Sequence, residues 1–287
     1  MKGILRKIVN RLPPRLLSRI SSWQFSSPTA AKLINYGKRL IRNQDATISH
    51  GVGRGLKFNT GNANVGYALG TSEPEVQKAL AMLMKAGDVF FDIGANVGFY
   101  TILGARLVGP SGKVVAFEPF PDSAATAQKN AGLNGFSNVN VIKKAVSNKS
   151  GNANLILSAE ATMAKLEGIP FESKSTGSIA VELVSIDEFL TSPGTVPPTL
   201  VKIDVEGAEI EVLQGMSGTV SKYAPLILCE NHGRNADVSR LLEEYGYWQF
   251  VIEAPGKALA EAHWDVHVVA GPQAQRHILA QLGQSFA

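Results

Sequence analysis

A single cysteine, Cys229, occurs in 287 residues. One thiol excludes an internal disulfide framework and any cysteine-rich zinc site, and it predicts a reducing, cytoplasmic setting. Long apolar runs are also missing. None approaches the roughly 18 residues that a membrane span requires, so an integral membrane protein is not expected. Acidic residues are absent from residues 1–42, which hold ten Lys or Arg, leaving 18 basic against 24 acidic residues in the remainder. The chain is otherwise 45% hydrophobic and 18% charged, values that exclude disorder of the whole chain.

The basic arm is not a nucleic-acid surface, because its charge sits at one end rather than across a folded face. Ile4, Leu5, Ile8, Val9 and Leu12 fall at helical spacing with Lys2, Arg6, Lys7 and Arg11 between them, and Pro13 and Pro14 break the pattern. No apolar core of signal-peptide length follows the charges. Residues 1–49 are read as a helical arm, either solvated and packed on the domain or resting on anionic lipid as a peripheral membrane contact.

Residues 50–287 are read as one α/β domain with a doubly wound, mostly parallel sheet. Residues 48–61 resemble a short hairpin. Ser72 and Glu75 are spaced as a capping box for a helix over 73–86, ended by Gly87. VFFDI at 89–93 is apolar apart from Asp92, as a buried parallel strand should be. Strands at 113–117, 139–146, 200–203 and 226–229 alternate with helices at 122–134, from 208, and at 235–245. Residues 248–252 and 265–269 suit a closing antiparallel pair. Residues 147–184 break the rhythm and read as a hairpin followed by a polar lid.

Ligands of open α/β sheets bind beyond the carboxyl ends of the strands, so the residues there are the informative ones. The first strand ends in Asp92, Gly94, Asn96 and Gly98. Glu118 ends the second, 24 residues after Gly94. Asp204, Glu206 and Glu209 follow the fourth, and Glu230, Asn231 and His232 the fifth. A glycine turn with an acid at the next strand end suits an adenosine ligand, the acid accepting from a ribose diol. The turn reads G-x-N-x-G rather than G-x-G-x-x-G, so a side chain stands where a pyrophosphate would approach, and no nucleoside triphosphate loop is present. S-adenosylmethionine has no phosphate and fits, with Asp92 helping to hold its ammonium directly or through water.

The run from Phe91 through Asp92 to Thr101, with Phe117-Glu118-Pro119, resembles class I S-adenosylmethionine-dependent methyltransferases. Lys202-Ile-Asp-Val-Glu-Gly-Ala-Glu209 and Leu213-Gln-Gly narrow the resemblance to the FkbM family. Leu69-Gly-x-x-Glu-Pro-Glu75, Ala145-Val-Ser147 and Ile186-Asp-Glu-Phe189 follow the same pattern. The resemblance implies methyl transfer to a hydroxyl of a carbohydrate or secondary metabolite. It also implies Asp92, Gly94, Asn96, Gly98 and Glu118 as cofactor residues, with Ala145 near the adenine.

An alcohol must lose its proton as it attacks, so a base is needed. His232 is the first candidate and Asp204 the second. A third reading places a divalent cation on Asp204 and Glu230 with Asn231, by fold-level analogy. Glu209 reads as a helix-dipole residue. Cys229, Trp248, His263, Trp264 and His267 read as packing. The rival functions are a nucleotide-cofactor oxidoreductase and a non-catalytic, membrane-associated cofactor-binding protein.

Overall fold

The computed structural model describes residues 43–64, 66–158, 164–168, 175–262 and 265–286. The basic arm to residue 42, with its lipid reading, and His263 and Trp264 lie outside the described residues. In chain order, β1 (Asp45–Thr47) and β2 (Lys57–Asn59) are followed by α1 (Gly66–Leu69) and α2 (Pro74–Leu83). The alternating part begins with β3 (Val89–Ile93), α3 (Phe99–Val108), β4 (Lys113–Phe117), α4 (Pro121–Leu133) and β5 (Val139–Ile142). Next come β6 (Ala145–Val146), β7 (Gly151–Ser158), β8 (Ala164–Leu166), β9 (Ser175–Val184) and α5 (Ile186–Phe189). The alternation resumes with β10 (Leu200–Ile203), α6 (Glu209–Gln214), α7 (Ser217–Tyr223), β11 (Leu226–Asn231) and α8 (Asn235–Glu244). β12 (Tyr247–Val251), β13 (Val266–Pro272) and α9 (His277–Phe286) complete the described chain.

Seven strands form the central sheet in the order β12-β13-β11-β10-β3-β4-β5. The pairs from β11 through β10, β3 and β4 to β5 are parallel, while β13 is antiparallel to both β11 and β12. Parallel neighbours need crossovers, and the intervening helices supply them on both faces. Successive residues of β3 therefore serve different layers. Phe90 packs with Leu80, Ile102 and Leu103 on one face. Phe91 and Ile93 pack with Val201, Ile203, Val212 and Leu213 on the other. The chain runs outward from β3 to β5 on one side and from β10 to β11 on the other. The switch point, where a crevice must open, is between β3 and β10.

Side-chain caps fix the geometry around this crevice. Asn130 on α4 donates to the carbonyls of Asn59 and Val97 and accepts from the Asn59 N–H, tying β2 to the turn after β3. Asp187 accepts from the Gly218 and Thr219 amides and the Thr219 hydroxyl, capping the start of α7.

Four sequence expectations change. Ser72 does not cap α2. Pro74 takes the first helical position, Glu73 precedes it at φ 44°, and the helix stops at Leu83, before Gly87. The strand expected over 139–146 is two, because β6 leaves the central sheet to pair with β9. The excursion at 147–184 builds a second sheet, ordered β6-β9-β7-β8, in place of a hairpin with a polar tail; its residues 159–163 and 169–174 lie outside the described set. The stretch read as arm contains β1, whose Asp45 accepts from Asn59 and pairs with Lys129 on α4.

Candidate active site

A cavity of about 440 Å³ opens where β3 and β10 diverge. Gly94, Asn96, Phe117, Glu118 and Ala145 line it from the ends of β3, β4 and β6. Tyr67, Glu73, Asp204, Glu206 and Glu230 line it from α1, the start of α2 and the ends of β10 and β11. Leu155, Leu157, Leu166 and Thr176 add a wall from the second sheet.

The glycine turn is held by backbone. The Gly94 and Ala95 amides both donate to the Phe117 carbonyl, and the Gly98 amide closes the turn on Ala95. Gly94 has φ 80°, and a Cβ there would stand 1.7 Å from the Asp204 carbonyl oxygen, so only glycine lets β3 and β10 meet this closely. Glu118 accepts from the Asn96 amide at 2.7 Å and the Phe120 amide at 2.8 Å. Its burial outweighs these bonds and pushes the carboxyl up to about 7.

Asp92 lies beneath the turn, 1% exposed, with Oδ2 accepting from the Thr101 hydroxyl and Oδ1 unpartnered. Neither Asp92 nor Gly98 is among the residues that line the cavity. Asp92 faces Lys202. That lysine is fully buried mid-strand, donates to Asp204 at 2.9 Å and stands over the Tyr100 ring at 4.5 Å. Burial opposes its charge, but Asp204 and Asp92 hold its pKa above the ordinary lysine value.

Glu206 has φ 53° in the turn after β10, a conformation non-glycine residues adopt only under constraint. Burial lifts its carboxyl to about 7 against the pull of His232. The His232 ring does not line the cavity but stands just behind it, with Nε2 3.7 Å from both Glu206 and Glu230. Its Nδ1 is 2.7 Å from Glu209. Burial works against the charged ring, yet the Glu209 bond and the neighbouring acids raise it to about 9.

Three residues change role. Glu209 is fully buried and accepts from His232 and from the Gly207 amide, so it orients the imidazole as well as favouring the helix dipole. Asn231 turns inward and donates to the Cys229 and Val266 carbonyls, which removes it from any cation set at the cavity. His267 lies behind the cavity wall, 3.4 Å from Glu230, rather than in passive packing. Trp248 is buried and donates to the Pro272 carbonyl, and Cys229 is buried with its thiol pushed up. Tyr67, Glu73 and Tyr100, whose hydroxyl donates to Glu73 at 2.5 Å, had no motif to announce them. Lys202 did: a charge inside an otherwise apolar strand needs a buried partner.

A family model described as "Methyltransferase FkbM domain" matches residues 92–248. The chain belongs to the FkbM methyltransferase family. A "Hexuronic acid methyltransferase AglP" of Haloferax volcanii is 30% identical over 173 residues, which are 60% of this chain and 68% of that one. "31-O-demethyl-FK506 methyltransferase FkbM" of Streptomyces tacrolimicus is 26% identical over 63% of this chain and 80% of its own. "2-O-methyltransferase NoeI" of Sinorhizobium fredii is 27% identical over 53% of this chain and 67% of its own. The protein is thus an S-adenosylmethionine-dependent methyltransferase, and the oxidoreductase and non-catalytic readings fall away. The methyltransferase's cavity fits that cofactor. Asn96 lines it beside the glycine turn, Glu118 presents a buried acceptor, and every ionisable residue lining the described cavity is an acid or Tyr67, which suits a sulfonium cation. Among the described residues, no helix is long and apolar enough to cross a membrane.

Proposed function

We propose that this methyltransferase transfers a methyl group to a hydroxyl oxygen of a carbohydrate or secondary metabolite. One observation carries the reading: the acids Asp204, Glu206 and Glu230 share a cavity with Asn96 and Glu118. An acceptor-side cluster and an adenosine-type site thus face the same space. The relatives named for a 31-O position and for 2-O transfer support oxygen as the acceptor, and the one named for a hexuronic acid supports a carbohydrate.

Gly94, Asn96, Glu118 and Ala145 would hold the cofactor, with the Glu118 carboxylate accepting from its ribose hydroxyls and Asp92 supporting the turn from below. When bound, the cofactor supplies a methyl group on positively charged sulfur. The residues of the chain align the acceptor and remove its proton. Alignment supplies the larger share, up to ~7–11 kcal/mol of barrier, because the methyl donor is already activated. Glu206 is the proton acceptor favoured here: it lines the cavity, and a carboxylate near 7 is matched to a base working at neutral pH. His232, held by Glu209, faces Glu206 and stabilises its charged form. Asp204, tied to Lys202, keeps an acceptor hydroxyl in place. Leu155, Leu157 and Leu166 exclude water from the transfer.

Incubation with labelled S-adenosylmethionine and a panel of neutral, amino and uronic sugars tests the function. Label in a base-stable ether product is expected. Label appearing only on nitrogen would overturn the reading. Glu206→Gln should lower kcat by roughly 10²–10⁴-fold while cofactor affinity stays within about threefold.

A further inference from the structure

At the acceptor side of the cavity, Glu230 and Glu73 meet a buried histidine, His267, to which the proposed function gives no role. Glu230 on β11 and His267 on β13 are register partners on adjacent strands, so their side chains leave the sheet side by side. The ring of His267 is fixed from behind. Glu253 takes its Nδ1 at 2.6 Å and its backbone amide at 2.8 Å. A carboxylate on Nδ1 commits that nitrogen to carrying hydrogen and leaves Nε2 as the outward ligand position, the arrangement found behind metal-binding imidazoles.

That Nε2 is buried, in a side chain 8% exposed, and no described atom meets it in hydrogen-bond geometry. It stands 3.4 Å from Glu230 Oε2. Glu73 brings a third ligand atom, and all three lie within 4.8 Å of one another. Glu73 is fixed too, by the Tyr100 hydroxyl on Oε2. An N–H···O bond would draw nitrogen and oxygen to about 2.7–3.2 Å. Two ligands at roughly 2.0–2.1 Å from one tetrahedral ion stand about 3.4 Å apart. The observed 3.4 Å matches the second spacing and is also that of an ion pair between the two side chains.

We propose that Glu73, Glu230 and His267 form a site for a divalent cation of the Zn²⁺ or Mn²⁺ class. One imidazole with two carboxylates favours these ions over Mg²⁺ and Ca²⁺, which prefer all-oxygen sets. Glu73, Asp204, Glu206 and Glu230 gather around the cavity, where Lys202 and the imidazoles of His232 and His267 face them. Glu73 and Glu230 also line the cavity, so the open positions of the ion face the acceptor. There the ion would hold an acceptor oxygen and favour its ionised form. That role rests on the proposed function, whereas the binding site itself does not.

The test reads binding without substrate. Chelator-stripped protein is titrated calorimetrically with ZnCl₂ and with MnCl₂, and crystals soaked in each are measured at the metal's absorption edge. One equivalent per chain is expected, with the anomalous peak between Glu73, Glu230 and His267. His267→Ala and Glu73→Gln should each lower affinity at least tenfold, and Glu253→Gln, which touches no ion, about 10–100-fold. His232→Ala should stay within threefold. Melting curves of each variant show that it is folded, and Glu73→Gln carries the test if His267→Ala is not. Absence of binding overturns the proposal, and so does binding that survives both His267→Ala and Glu73→Gln. A site lost on His232→Ala but kept on His267→Ala also overturns it, since the ion would then lie with Asp204, Glu230 and His232. Failure to methylate any hydroxyl would sink the functional reading and leave these binding results standing.

Discussion

Glu118 is asked to be two things at once. Burial favours its protonated form, with a pKa of about 7, while a ribose diol calls for the carboxylate. Cofactor affinity should therefore weaken as pH falls from 8 to 6, as calorimetry at several pH values would show. A pH-independent Kd over that range would place the ribose elsewhere. The same shift acts on stability. The folded pKa is raised from 4.5, so the stabilisation is complete below about 4.5 and is lost as pH rises through about 7. Saturating cofactor should flatten that loss, and melting temperatures with and without it provide the check. Glu118→Ala should weaken binding by about 1–3 kcal/mol, the cost of leaving buried hydroxyls unpaired. Lys202 stands at the other extreme. Lys202→Met removes the cation between Asp204 and Asp92 and should destabilise the fold by about 3–5 kcal/mol, measurable by denaturant titration. A loss below about 1 kcal/mol would mean that the acids are neutral in the folded chain.

At the scale of elements, β6 to β9 turn an excursion into a wall. Leu155 packs with Ala145 and Val181 in a small cluster of its own and also faces the cavity. Leu155→Ala should cost about 2–3 kcal/mol, the lower end for a buried leucine because the cluster is small. It should also raise KM for the acceptor more than for the cofactor, and equal effects on both would argue against an acceptor wall. The central strands were legible because each parallel strand is a short apolar run, and β3, β4 and β10 fall where that pattern puts them. The polar strand ends were legible because packing gives no reason for them. The second sheet was not. β7 falls in the expected hairpin, but β9 carries an exposed, polar face that reads as loop until the register with a partner is known. His267 and Glu209 were hidden for a related reason. One acquires its role through cross-strand register with Glu230, the other through a turn that folds Glu209 back onto His232.

Across the whole molecule, charge is separated by place. The acids converge on one cavity, whose described lining includes Glu73, Glu118, Asp122, Asp204, Glu206 and Glu230 and no Lys, Arg or His. Such a concave acidic surface concentrates cations, and the effect is screened over about 10 Å at 0.1 M salt. S-adenosylmethionine carries a sulfonium that its demethylated product lacks. Its affinity should fall with added salt more steeply than the product's, as paired titrations from 20 to 500 mM salt would show. Parallel slopes would mean that the acids do not face the sulfur.

The switch point also sets a timetable for synthesis. Ile93 of β3 pairs with Ile203 of β10, about 110 residues later, and no nearer segment supplies that edge. While the ribosome is still making residues 94–199, β3 presents a strand apolar apart from Asp92 with one side unpaired, the kind of edge that recruits other chains. The nascent protein is therefore most vulnerable midway through translation. Chains released before Leu200 should aggregate or be held by chaperones, and chains that extend past Asn231 should become protease-resistant together rather than strand by strand.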